Sequence, residues 1–217
     1  MSEQRLNPVT PAPQVDATPA GPTRTGFLLA GERALVTTEQ LDAASAELRA
    51  IGVGTVSVLT APGYTLVHVE SDGATASSTV GDTVLGAVLA DGPGSSDADS
   101  YGEIFAWEKD AADGDVPVAI MLQLKTGLAA DYRAWLASGV VDTLQQIWAR
   151  HDISRHDVLQ AGDSVVGFYS CAGPAAVSAA FADPAGVAVM EQGLGDLLDI
   201  EATTALPTLE EKITWLA

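Results

Sequence analysis

The sequence predicts an α+β protein in which one strand–helix–strand–strand–helix–strand unit is used twice in tandem. Three observations predict it. The alternation of strand-like and helix-like segments from Thr25 to Lys109 recurs from Val116 to Leu216. Each half holds two strand-like runs separated only by a short turn, Ala61-Pro62-Gly63 in the first and Ala161-Gly162-Asp163 in the second. At 47% hydrophobic over 217 residues, the chain can bury a substantial core.

Residues 1–23 are polar and proline-rich and lack an apolar stretch, so they read as a disordered tail and not as a secretion signal. Thr25–Gly31 predicts the first strand. Thr38 is a candidate N-cap, and Leu41, Ala44, Leu48 and Ile51 recur at helical spacing until Gly52 and Gly54 end the helix. Thr55–Thr60 and Tyr64–Glu70 form a hairpin. Ala74–Leu89 predicts a helix interrupted by Gly81 and Gly86, Asp91–Ser100 a loop, and Ile104–Trp107 a short closing strand. The first repeat therefore covers 24–109, and Asp110–Asp115 is a linker by composition.

The plan returns over 116–217. Val118–Lys125 is a strand, and Ala129–Arg150 a helix with a break at Ser138-Gly139. Ser154–Gln160 and Ser164–Cys171 form a hairpin. Pro174–Phe181 and Val187–Leu198 are helical, and Glu211–Leu216 is the last strand. A βαββαβ unit is the ferredoxin-like arrangement, with helices on one face of its sheet. Two bare faces turned toward each other give a pseudo-dimeric α+β barrel, and the space between them is a natural small-molecule site.

With 29 acidic and 10 basic side chains, the net charge of −19 excludes a nucleic-acid or anionic-membrane partner. The single cysteine, Cys171, permits no intrachain disulfide, and no apolar run reaches the length of a membrane span. The expectation is a cytoplasmic protein with a small-molecule substrate, either a monomer with internal pairing or a homodimer. No phosphate loop, dinucleotide glycine motif, zinc pattern or Ser-His-Asp arrangement occurs, so no cofactor and no metal are expected. The segment Trp148–Asp157 holds two histidines, but it crosses a helix end and a strand start. No single face presents both His151 and His156 to a metal, and His151 suits the negative end of the helix dipole.

Strand alternation sorts the candidate site residues. Tyr64, Leu66, His68 and Glu70 share the mixed face of their strand, while Thr65, Val67 and Val69 share the face suited to packing under helices. His68 is the sharpest candidate, since imidazole gives or takes a proton near neutral pH, and Glu70 stands two residues on as its partner. In the second repeat Met121, Gln123 and Lys125 are expected to line the cavity. Phe168 and Ser170 fall on one face of their strand, Tyr169 and Cys171 on the other. Tyr132 and Trp135 lie on a helix whose aromatic face also suits a core. Arg155 is a candidate for an anionic ligand group.

The strand Tyr64-Thr-Leu-Val-His-Val-Glu-Ser-Asp72 followed by a helix resembles the hairpin strand of the tetracenomycin-type aromatic polyketide cyclases, with His68 and Glu70 at the matching positions. The second repeat resembles the L-rhamnose mutarotases in Ile120-Met-Leu-Gln123-Leu, Asp131-Tyr132-Arg133 and Leu209-Glu-Glu-Lys-Ile-Thr-Trp215-Leu. It departs from them at Leu136, where that family has a histidine, and at Val189-Met190, where it has tryptophans. Both families share the α+β barrel, as do cofactor-independent monooxygenases.

The first resemblance implies a cofactor-free cyclase acting on an aromatic polyketide or a related intermediate. That resemblance gives His68 and Glu70 as the catalytic pair; the reading of the residues adds Tyr132 as a further catalytic candidate and Tyr64, Gln123, Arg155 and Tyr169 as substrate contacts. The second implies a sugar mutarotase-like enzyme centred on Tyr132. A small-molecule-binding or assembly protein without catalysis is the remaining class.

Overall fold

The computed structural model describes residues 22–31, 33–90, 98–110 and 113–216. Of the expected tail, residues 1–21 lie outside these, as do 91–97 of the expected loop and 111–112 of the linker.

The first repeat supplies β1 (Thr23–Ala30), α1 (Thr38–Ala43), α2 (Ser45–Ala50), β2 (Val53–Ala61), β3 (Tyr64–Ser71), α3 (Ser77–Val88) and β4 (Ala98–Glu108). The second supplies β5 (Val116–Gln123), α4 (Ala129–Trp135), α5 (Val141–Arg150), β6 (Arg155–Ala161), β7 (Ser164–Cys171), α6 (Pro174–Ala182), α7 (Pro184–Val189), α8 (Gly195–Leu197), α9 (Ile200–Ala205) and β8 (Thr208–Leu216). The strands close into one barrel in the order β1-β3-β2-β8-β5-β7-β6-β4. Each repeat contributes four consecutive strands of that ring, and every pairing is antiparallel. The seams are β2–β8 and β4–β6, so the fourth strand of each repeat closes on the second strand of the other. The pairing that joins two chains in a dimeric α+β barrel is made here within one.

Alternation along the strands produces three cores. Val67 and Val69 of β3 pack outward under the first repeat's helices against Leu41, Leu48, Val84 and Leu85. Trp148, Ile147, Tyr132, Val177 and Leu198 fill the corresponding layer of the second repeat. Inside the barrel, Leu59, Leu66, Met121, Leu159, Val166 and Phe168 pack together. Removing each such side chain from water is worth about 1.5–3 kcal/mol.

Several boundaries differ from expectation. The closing strand of the first repeat is 11 residues long and begins at Ala98, inside the expected loop. β1 pairs with Ala98–Gly102 and holds Asp99 and Ser100 extended despite their weak strand preference, and Gly102 has partners on both β1 and β6. The last strand begins at Thr208 and not at Glu211. Thr37, not Thr38, caps α1, in a reciprocal capping box with Gln40. The long helix of the second repeat kinks at Gly139, at φ 90°, where the break at Ser138-Gly139 is expected. A second kink, at Gln192-Gly193 with Gly193 at φ 125°, breaks the expected Val187–Leu198 helix.

Candidate functional site

The two hairpins carry the central side chains of the barrel. Ser57 is opposite His68 in the first, and Asp157 is opposite Phe168 in the second. On its other side His68 faces Gly26 of β1. A Cβ on Gly26 would come within 2.9 Å of Leu159 Cδ1, so the glycine belongs to the interior packing. With small residues on both flanks, the imidazole has room to lie flat against Phe168.

His68 and Asp157 are both fully buried, and His68 Nε2 stands 3.4 Å from Asp157 Oδ2. That is longer than a well-formed hydrogen bond. Arg155 Nε donates to the same Asp157 oxygen at 2.7 Å, and Arg155 Nη1 donates to Glu70 Oε1. Arg24 reaches Asp157 Oδ2 at 3.4 Å through Nε and pairs with Glu108 at 2.9 Å. Glu103 completes the set 3.6 Å from Arg24. Both ring nitrogens of His68 and Asp157 Oδ1 are buried without a hydrogen-bond partner. The network runs from the barrel centre to its rim, where Glu108 is 58% exposed.

Burial lowers the pKa of His68, outweighing the contrary pull of Asp157, so the ring is neutral at neutral pH. Burial alone would raise Asp157, but its contacts with His68 and Arg155 outweigh that and hold it below the usual carboxylate range. Arg155 resists the same desolvation because Asp157 and Glu70 flank it. A neutral imidazole whose Nε2–H faces a buried carboxylate has its Nδ1 lone pair available as a base.

The structure thus brings His68, Glu70 and Arg155 together from strands more than 80 positions apart in the chain. It corrects the expected partner, since Asp157 and not Glu70 stands beside His68. Tyr132 and Tyr169 do not join them. Both lie on the helix side of the sheet in the second repeat's core. There Tyr132 stacks on Trp135, and Tyr169 stacks on His156 with centroids 4.5 Å apart. Burial raises both phenol pKa values.

Gln123 lies at the turn end of the barrel, away from Arg155. It donates to Leu124 O and Asp163 O and accepts from Ser164 Oγ, bracing the β6–β7 turn. Lys125 leaves the strand and donates to Asp196 O. Tyr64 is half-buried against the barrel-interior cluster at that same turn end. The expected space between the sheets is occupied by the interior cluster and the ionic network. Arg24, Glu103, Glu108 and Asp157 were not among the expected residues. Asp157 alone had a local signal, as it shares a strand face with Arg155 two positions away.

Among the described residues, no group of three or more His, Cys, Asp or Glu side chains is placed to hold a metal ion. No helix among them is long and apolar enough to cross a membrane.

No family model matches the chain, and no curated protein sequence matches it. Solved structures do. A provisionally assigned monooxygenase from Lactobacillus acidophilus NCFM is 12% identical with a TM-score of 0.54, over 89% of this chain and 93% of that one. Another, from Fusobacterium nucleatum, is 8% identical with a TM-score of 0.53, over 90% of this chain and 94% of that one. The likeness is one of fold, and it spans both repeats. The chain has the ferredoxin-like, dimeric α+β barrel architecture.

Proposed function

We propose that this chain is an enzyme that removes a proton from carbon in a small carbonyl compound, with His68 as the base, and that the outcome is ring closure of the polyketide-cyclase kind. The observation that supports this is the pairing of a buried, neutral His68 with the buried carboxylate of Asp157. His68 Nδ1 accepts the proton from the carbon next to a carbonyl, and that bond's electron pair moves onto the carbonyl oxygen as an enolate. Asp157 stabilises the imidazolium as it forms. The enolate carbon then bonds to a second carbonyl carbon of the same molecule, and the resulting alkoxide takes the proton back from His68. Arg155 is the nearby cation that offsets the oxyanion charge. Substrate reaches His68 from the rim, where the Arg155–Glu70 pair must part.

One observation favours a second reading. His68 has no exposed surface and is stacked on Phe168, as a purely structural ionic core would require. Exchange of carbon-bound hydrogen in D2O, followed by NMR on a panel of linear poly-β-carbonyl compounds, separates the two. His68→Gln should lower exchange and cyclisation by roughly 10²-fold or more while the fold keeps its melting temperature. Full activity in H68Q, with stability alone reduced, would leave only the structural reading. Product that forms only in the presence of dioxygen would replace ring closure by oxygenation of the same carbanion.

A further inference from the structure

A groove of about 460 Å³ lies where the β4–β6 seam meets the helices of the second repeat. Ile104 and Phe105 of β4 line it, together with Arg133 of α4, Leu136 and Ala137 of the kinked segment between α4 and α5, and Val141 of α5. One wall belongs to the first repeat and the other to the second, so the groove exists only because the seam closes. It lies on the opposite face of the sheet from His68 and Asp157.

Two backbone irregularities meet at this groove. The register of β4 against β6 shifts between Glu103 and Phe105, leaving Ile104 as an extra residue. The helix opposite kinks at Gly139, at φ 90°. Both irregularities re-aim side chains, and bulges of this kind recur beside functional sites. The corresponding helices of the first repeat meet without a left-handed residue, since Ala44 between α1 and α2 has an ordinary right-handed conformation.

The lining is apolar except for Arg133. Arg133 Nε donates to Gln160 Oε1, and Gln160 Nε2 donates to Ala129 O at 3.3 Å, so the arm that holds the guanidinium is itself fixed. Among the described residues no carboxylate pairs with Arg133, although the chain carries a net charge of −19. A cation anchored through Nε keeps its Nη edge for a planar anion.

We infer that the groove binds a small aromatic carboxylate. The ring system lies on Ile104, Phe105, Leu136, Ala137 and Val141, and the carboxylate pairs with the Nη edge of Arg133. The volume suits one such molecule, and the fork geometry of arginine matches a carboxylate better than lysine would.

The test is a fluorescence titration of the full chain with 2-naphthoate and its neutral analogue 2-naphthamide. Saturable binding of one 2-naphthoate per chain is expected, with 2-naphthamide at least about tenfold weaker. Arg133→Gln, at an exposed position, should weaken 2-naphthoate by about tenfold or more and leave 2-naphthamide unchanged. Ala137→Trp should block both. Equal affinity for the two probes, or affinity unchanged in A137W, overturns the assignment. So does a wild-type dimer that A137W dissociates without affecting the probes, which would make the groove a contact between copies of this chain.

Discussion

Phe168 lies flat on His68, with ring centroids 3.9 Å apart and planes 12° from parallel. Each is the fifth residue of the third strand of its repeat, opposite Asp157 and Ser57 respectively. The internal pseudo-symmetry therefore brings equivalent positions into contact at the barrel centre. The chemistry at those positions has diverged. The imidazole comes from β3 of one repeat and the carboxylate from β6 of the other, so these positions form one His–Asp pair and not two.

The stack makes a measurable prediction. Phe168→Ala removes a buried ring from the interior and leaves a cavity beside His68, at a cost of about 3–5 kcal/mol. Phe168→Leu keeps most of the volume and should cost less than about 1.5 kcal/mol. Urea denaturation of the two variants checks the ranking. Equal costs would mean that the ring does not hold the interior together.

Asp157 offers a sharper contrast. It is the shared counter-ion of Arg24 and Arg155, and its side chain has no exposed surface. Asp157→Asn preserves shape but strips the buried guanidinium groups of their common partner, which should cost about 3–5 kcal/mol. The control is Ser57→Ala at the equivalent position. Ser57 only shares a hydroxyl contact with Thr214 at 3.4 Å, so its loss should cost about 1 kcal/mol or less. A D157N protein as stable as S57A would show that the network contributes nothing to joining the repeats.

How far the sequence could be read follows from the range of the forces involved. The hairpins were legible because a two-residue period and the Ala61 and Ala161 turns are local signals. The length of β4 was not, because Asp99 and Ser100 are held by partners supplied by β1, and Gly102 by partners on both β1 and β6. Alternation correctly placed His68 with Glu70, and Arg155 belongs to the same cluster. It could not name Asp157 as the partner, since that contact depends on how one repeat closes on the other. Tyr169 shows the complementary limit. Alternation separates two faces but does not say which one the helices cover, and Trp148 and His156 bury the phenol on the covered face.

Acid should destabilise the fold in two stages. In the folded chain burial lowers the pKa of His156 to about 4, against about 6.5 when unfolded. Between those values the unfolded chain binds more protons, so stability falls as pH drops from 6.5 toward 4, by about 3 kcal/mol for this residue. His68, also lowered by burial, acts in the same direction. The depressed pKa of Asp157 acts later. Its contribution is present above the ordinary carboxylate range and is lost only as pH falls through its lowered value. His156→Gln keeps an acceptor for Trp148 Nε1, which donates to His156 Nδ1 at 3.0 Å. Denaturant midpoints at pH 7.5, 5.5 and 4.5 should show a flatter slope for H156Q. An unchanged slope would assign the loss to other groups.

Two glycine substitutions should move stability in opposite directions. Gly86 sits exposed in α3 with ordinary helical geometry, and an added Cβ there meets nothing within 4 Å. Gly86→Ala should therefore stabilise by about 0.5–1 kcal/mol, by restricting the unfolded chain and favouring the helix. Gly139 has equal space around it, but its φ of 90° lies in the left-handed region. Gly139→Ala should destabilise by about 1–3 kcal/mol through backbone strain alone. In a domain of this size each kcal/mol corresponds to roughly 2–4 °C in melting temperature, so calorimetry resolves both. The two differ again in the groove. Gly139 makes the kink that follows Leu136 and Ala137, so G139A should also weaken 2-naphthoate, while G86A, on the other repeat, should leave it unchanged. Equal probe affinity in both variants would detach the kink from ligand binding.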